Sequence, residues 1–232
     1  MARQLTLDVT LRDGTDFETF HPGGQALVPE AVRGLAHGKG ERQLYLFGES
    51  GAGKTHLLHA ACHEVAEWGG RVAYLPMGIT AGTGSDLLQG WQGVDLIALD
   101  NLDEMPWEPD LEQALFNLIN SVRDSGGRLL MASRTAPQSL PVALPDLRSR
   151  LLWGPVFQLR VLADVHKCEA LMARSRRRGF ELSPEVCEYL LRHHRRDLPS
   201  LIALLDQLDR ESLSTRRRVT VRFVKHILGG AS

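Results

Sequence analysis

Cysteine is scarce: Cys62, Cys168 and Cys187 are the only three in 232 residues. An odd number without metal-type spacing argues against a disulfide framework and fits a reducing compartment. No apolar run approaches the ~20 residues of a membrane span. The opening stretch MARQLTLDVTL lacks the apolar core of a signal peptide, so the expected location is the cytoplasm. Net charge is nearly absent as well, −1 in total, and by itself names no partner. There is no internal repeat and no long low-complexity tract.

What the chain does have is an uneven distribution of charge. Residues 1–159 carry 12 Lys+Arg against 19 Asp+Glu, whereas residues 160–232 carry 15 against 9. An acidic body followed by a basic quarter implies two units, the second suited to phosphates or an acidic partner. Apolar runs at 42–47, 71–76, 94–99, 127–132 and 155–160 read as short buried strands, with helical stretches such as 54–67 and 110–123 between them. That alternation predicts an α/β fold with a parallel sheet covered on both faces. After Arg160 only helical patterns remain. Leu198, Leu201, Leu205 and Leu208 share a helical stripe widened by Ile202. Ser183-Pro184 reads as a cap with proline at the first helical position, and Thr220 as the cap of a last helix ending at Gly229. The division is therefore an extended tail over 1–15, a body over 16–159 and a helical unit over 160–232.

GESGAGKT, Gly48 to Thr55, satisfies G-x-x-x-x-G-K-[ST] between an expected strand and an expected helix, which is the context a phosphate-binding loop requires. Gly51 and Gly53 let the backbone turn its N–H groups toward phosphate oxygens. Lys54 supplies a positive charge to the β- and γ-phosphates, and Thr55 can ligate Mg²⁺. The helix N-terminus adds its dipole. The nucleotide-contacting set is Gly48, Ser50, Gly51, Ala52, Gly53, Lys54 and Thr55, with His56 next on the helix. Asp100 closes the run VDLIAL where a second, Mg²⁺-organising acid belongs. Its neighbour Asn101 is neutral and cannot take a proton from water as a carboxylate does. Asp103 and Glu104 lie beyond the strand. Slow intrinsic hydrolysis is the expectation.

Together these residues resemble the AAA+ ATPases of the bacterial initiator group, and among them the DnaA-related inactivators of the replication initiator. GESGAGKTHLLHAACHEV, LDNLDE, LPDLRSRLLWG and LLDQLDR stand where that family has similar strings, and the likeness spans nearly the whole chain. It implies an AAA+ body with a small all-helical lid at 160–232, without the initiator's DNA-binding domain. Arg150 in PDLRSRLLWG matches the family's arginine finger, which reaches into a neighbouring subunit's nucleotide site; Arg148 competes for that role. Such a finger is worth ~10³–10⁵ in rate. The home site then need only hold ADP (or ATP) with Mg²⁺, and Asn101 is no handicap.

The resemblance also bears on the tail. QLTLDV resembles the peptide by which the family binds the sliding clamp of the replicative polymerase, with Gln4, Leu5, Leu7 and Val9 as the contacts. The alternation of Leu5, Leu7, Val9 and Leu11 with polar residues alone favours an edge strand, and the family likeness reverses that order. Asp8 and Val9 depart from the family's proline and leucine. Two other departures concern phosphate sensing. Pro199 falls where the lid's sensor arginine is expected, leaving Arg195 or Arg196 as substitutes, and the body's polar sensor falls on Ser133 or Arg134. The implied partners are the initiator DnaA, the clamp and, through a loaded clamp, DNA; self-association stays open. The arginine runs at 174–179, 192–196 and 215–219 read as a solvated face or a salt-sensitive DNA contact, and no recognition helix stands out. His56, His59 and His63 share one face of a helix beside Cys62, a weak zinc pattern. A helicase loader and a P-loop kinase are the rival classes.

Overall fold

A computed structural model describes residues 15–215 and 217–229; Gln4, Leu5, Leu7 and Val9 of the tail lie outside them. The chain divides into one compact unit up to Arg160 and a second from Val161.

In the first unit the elements run α1 (Leu27–Ala36), β1 (Gln43–Phe47), α2 (Lys54–Glu67), β2 (Val72–Pro76), α3 (Thr80–Thr83), β3 (Leu96–Asp100), α4 (Pro109–Asp124), β4 (Arg128–Ser133), α5 (Pro145–Leu151) and β5 (Val156–Gln158). The strands form one sheet in the order β2-β3-β4-β1-β5, every neighbouring pair parallel. β3 and β4 are buried along their whole length, which is why their sequences are continuous apolar runs rather than alternations. Successive side chains still point to opposite faces. Leu44, Leu46, Leu96, Ala98, Leu130 and Ala132 pack with α1 and α2, while Tyr45, Ile97, Leu99, Leu129 and Met131 pack with α4 and α5.

Two strands depart from their apolar windows by two residues at one end, the other three by one. β3 begins at Leu96 rather than Val94, because the Asp95 carboxylate turns back to accept from the Arg71 N–H at 2.7 Å. β5 stops at Gln158: the Leu159 N–H still donates to Phe47 O at 2.7 Å, but that of Arg160 goes to the Gln25 side chain at 3.0 Å.

Among the described residues the second unit holds four helices, α6 (Asp164–Arg177), α7 (Pro184–His193), α8 (Leu198–Thr215) and α9 (Val221–Gly229). Leu171, Leu190, Leu201, Leu205, Leu208 and Val224 are fully buried in its core. Three of these helices, α7, α9 and α8, are capped by side chains: the Val186 N–H reaches Ser183 Oγ at 3.4 Å, the Phe223 N–H reaches Thr220 Oγ1 at 3.3 Å, and the Ser200 N–H reaches Asp197 Oδ1 at 2.9 Å. Pro199 thus lies in the first turn of α8, where its missing N–H costs no helical bond. The three cysteines are free. Among the described residues no helix is long and apolar enough to cross a membrane.

Candidate functional site

Parallel sheets bind ligands beyond the carboxyl ends of their strands. Here β1 runs into the phosphate-loop motif, β3 ends at Asp100 and β4, between them, ends at Ser133. The loop's turn uses positive φ at Gly48, Gly51 and Gly53 (151°, 81° and 98°). Gly53 caps α2 in the left-handed region, and a Cβ there would meet the Phe20 ring at 2.8 Å. Ser50 is exposed, Gly51 half-buried and Ala52 buried.

Lys54 and Thr55 open α2. The Lys54 ammonium is buried and donates to Gly48 O at 2.7 Å and Glu49 O at 2.9 Å. Burial pushes it below the usual lysine value, against the opposing pull of Asp100 and Asp103. Thr55 Oγ1 donates to Asp100 Oδ2 at 2.6 Å, so the two Mg²⁺ candidates from the sequence meet. A hydroxyl and a carboxylate side by side are the hard oxygen donors that Mg²⁺ takes. Asp100 is 1% exposed and accepts further bonds from Tyr74 OH at 2.7 Å and the Asn101 N–H at 2.9 Å. Loop, lysine, hydroxyl and carboxylate together fit a nucleoside di- or triphosphate with Mg²⁺; the metal would neutralise phosphate charge there.

Asn101 is the one non-glycine with positive φ among the described residues (φ 55°). Asn tolerates this conformation better than most side chains, which gives its identity a backbone reason beside the functional one. Asp103 follows in a short 3₁₀ turn and receives the Arg134 backbone N–H at 2.8 Å and Nε at 2.6 Å. Burial alone would raise the Asp103 carboxyl, but the Arg134 bonds outweigh it and hold it below the ordinary value. Neither Asp103 nor Arg134 is therefore uncommitted. Ser133 is fully buried and accepts from Tyr45 OH at 2.8 Å. His56 faces the segment before α1, with Nε2 2.8 Å from Asp16 O and its ring edge-on to Phe20. His59 stacks on Tyr74, ring centroids 4.4 Å apart.

Arg150 is not brought into this cluster. Its carbonyl accepts from Gln43 Nε2 at 2.7 Å, and Gln43 is the first residue of the strand whose far end leads into Gly48. The five residues of β1 separate the two by about 16 Å. The Arg150 guanidinium lies against α4 instead: Nε donates to Asn120 Oδ1 at 2.9 Å, and its carbon stands 3.7 Å from the Trp153 ring centroid. It forms no ion pair with any described residue. Arg148 is exposed, and its Nη2 is spent on Val142 O at 2.5 Å.

In the second unit Arg196 Nε caps Leu191 O at the end of α7 at 3.1 Å, and Arg195 Nε pairs with Asp197 at 3.2 Å. Other arginines of the basic runs are also paired within the unit, Arg178 with Asp206 at 2.5 Å and Arg192 with Glu188 at 3.4 Å. Sequence reasoning missed Tyr74, Trp153 and Glu112. Tyr74 carries only a polar tip on an apolar strand. The WG pair after α5 was a visible signal for Trp153. Glu112 on the apolar face of α4 was another: it is 2% exposed and accepts from the N–H groups of Ala143 and Leu144, just ahead of α5.

A family model described as bacterial DnaA ATPase domain matches residues 11–158, and one described as Hda, lid domain, matches residues 164–228. Among solved structures, domain III of the Thermotoga maritima replication initiation protein DnaA has a TM-score of 0.76 at 22% identity, over 94% of this chain and 97% of that one. AMPPCP-bound DnaA from Aquifex aeolicus has 0.70 at 24%, over 89% and 70%. The Thermotoga maritima RuvB branch migration motor has 0.63 at 16%, over 90% and 71%. Identities this low carry the fold alone. The family models reach further, since one covers more than half of the chain and the other its helical unit: this chain belongs to the DnaA-related AAA+ proteins, as an Hda-type member with a helical lid.

Proposed function

We propose that this protein inactivates the replication initiator by lending it an arginine. Its own phosphate loop holds ADP, or ATP, with Mg²⁺ on Thr55 and Asp100, and hydrolyses slowly. The protein engages ATP-bound DnaA and sets Arg150 against the γ-phosphate in the partner's site, where a guanidinium stabilises the charge of phosphoryl transfer. Hydrolysis leaves DnaA in its ADP form, which restrains re-initiation. The tail, through Gln4, Leu5, Leu7 and Val9, ties this activity to the sliding clamp and so to DNA being copied. Arg196 is the lid's substitute for the arginine lost at Pro199.

The observation that carries this reading is the placement of Arg150. The guanidinium is held by an amide and an aromatic ring, its terminal nitrogens make no hydrogen bond to described residues, and its backbone sits at the opposite end of β1 from the protein's own phosphate loop. A cation so placed suits someone else's anion. The phosphate-loop geometry and the AMPPCP complex of the Aquifex DnaA support the nucleotide in the home site.

The test is hydrolysis of ATP pre-bound to DnaA, measured with and without the protein on clamp-loaded DNA. Arg150→Ala is expected to bind ADP and melt as wild type while losing ~10³-fold or more of the stimulation. Undiminished stimulation overturns the finger. Replacing Gln4, Leu5 and Leu7 by Ala is expected to weaken capture by the clamp alone; equal capture removes the tail's role. Brisk hydrolysis of ATP by the protein on its own contradicts the whole reading.

A further inference from the structure

Trp153 stands between two arginines. The guanidinium carbon of Arg150 is 3.7 Å from its ring centroid and that of Arg123 is 3.9 Å. Two planar cations that near one centroid do not fit side by side on a single face, so the indole is gripped from both. Each face of the ring attracts a cation through the quadrupole. Arg123 is in the last turn of α4, whose carbonyl end also favours positive charge. The position of the ring is fixed in turn by its neighbour. A Cβ on Gly154 would stand 1.9 Å from the Gln43 carbonyl oxygen, so only glycine lets the chain pass there. Neither arginine has an ion pair among the described residues, which leaves the Trp153 stack, the Asn120 bond and a looser contact with the Phe116 ring, 5.5 Å to its centroid, as what orders the Arg150 side chain.

We infer that Trp153 is a positioning residue for the arginine finger. Pinned from behind by Arg123, the indole fixes the plane and aim of the Arg150 guanidinium before a partner arrives. This rests on the trans-acting role of Arg150. An arginine side chain has many rotamers, and a donor already aimed at developing charge avoids reorganising at the moment of reaction. A shift of ~1 Å in such a group can cost ~10²-fold. Trp153 remains 37% exposed, so the rival role is direct docking of the partner on the ring.

The experiment compares Trp153→Ala, Trp153→Phe, Arg123→Ala and Trp153→Ala/Arg150→Ala in the full chain. It measures the maximal stimulated hydrolysis of DnaA-bound ATP, the concentration for half-stimulation and the capture of ATP-loaded DnaA. Trp153→Ala is expected to lower the maximal rate roughly tenfold, what the loss of one such stack amounts to, with half-stimulation little changed. Trp153→Phe restores most of it, and Arg123→Ala gives an intermediate loss. In the Arg150→Ala background, removing the indole changes nothing further, because it acts through the missing group. A wild-type maximal rate in Trp153→Ala overturns the inference, as does weaker capture of DnaA on removing the indole from the Arg150→Ala chain. Should Trp153→Ala melt early, Arg123→Ala decides in its place: it alters an exposed side chain, and an undiminished rate overturns the inference equally. If Arg150→Ala abolishes stimulation while both Trp153→Ala and Arg123→Ala keep it, the finger stands and only the positioning role falls. If Arg150→Ala keeps it, both fall.

Discussion

The Tyr74 hydroxyl, carried on the edge strand β2, donates to Asp100 Oδ2 across 2.7 Å, the same oxygen that receives Thr55 Oγ1. With the Asn101 N–H on Oδ1, both oxygens of a nearly inaccessible carboxylate are engaged. A metal ion that takes Asp100 as a ligand, directly or through water, has to compete with those donors. Tyr74→Phe removes one of them and leaves the ring that stacks on His59. We expect the Mg²⁺ needed for half-maximal tightening of ADP binding to fall by about threefold to tenfold, within the ~0.5–1.5 kcal/mol of a typical net hydrogen bond. Binding without Mg²⁺ should be unchanged. Titration of a fluorescent ADP at stepped Mg²⁺ concentrations checks it, and an unmoved midpoint means that Tyr74 is only a packing residue.

Glu112 supports the start of α5 from inside. Its buried carboxylate receives the N–H groups of Ala143 and Leu144, and α5, carrying Arg150, starts at the next residue. Glu112→Ala leaves two backbone donors without their acceptor in a protein interior, at about 1–3 kcal/mol each. Thermal unfolding should drop by roughly 5 °C or more. Glu112→Gln, whose amide oxygen still accepts, should lose less than half as much. Equal losses for the two variants would show that charge, not acceptance of these bonds, is what matters at 112.

Much of this was legible in the sequence because the residues involved are neighbours along the chain or repeat with a period. The five buried runs gave the sheet, the glycines with Lys54 and Thr55 gave the phosphate loop, and the end of the third run gave Asp100. The Thr55–Asp100 bond follows from those placements once β1 and β3 flank β4. What did not follow is contact between side chains from remote segments. Tyr74, Glu112 and Trp153 owe their roles to partners 26, 31 and 30 positions away, and no local pattern encodes such pairing. Asn101 was legible as a missing carboxylate, whereas its left-handed backbone became visible only with the turn itself.

Asp103 gives the acid limb of stability a definite sign. Burial would raise its carboxyl, and the Arg134 bonds, stronger together, hold it below 3.8. A carboxyl depressed in the folded state adds stability that is complete above its unfolded value and is lost as pH falls through the folded one. Arg134→Ala should therefore be less stable than wild type at pH 7, with the gap closing as the pH drops below about 3.8. Urea unfolding at pH 7, 4 and 3 measures this. A gap that stays constant down to pH 3 would assign the effect of Arg134 to packing instead.

Asn101 joins a chemical reason to a backbone one, and two substitutions separate them. Asn101→Asp places a carboxylate beside Asp100 at little conformational cost, since Asp also tolerates the left-handed region. Asn101→Gly keeps the turn even more readily and adds no base. If the missing carboxylate limits the home site, Asp should raise the intrinsic turnover of ATP at least tenfold, within what a positioned general base supplies (~10²–10⁴). Gly should leave turnover at the wild-type level, and ADP affinity should be alike in all three. Single-turnover hydrolysis without DnaA or clamp reads the difference. Equal, slow rates for Asp and Gly would move the cause away from residue 101, to the lid where Pro199 occupies the first turn of α8 or to the buried Ser133 at the end of β4.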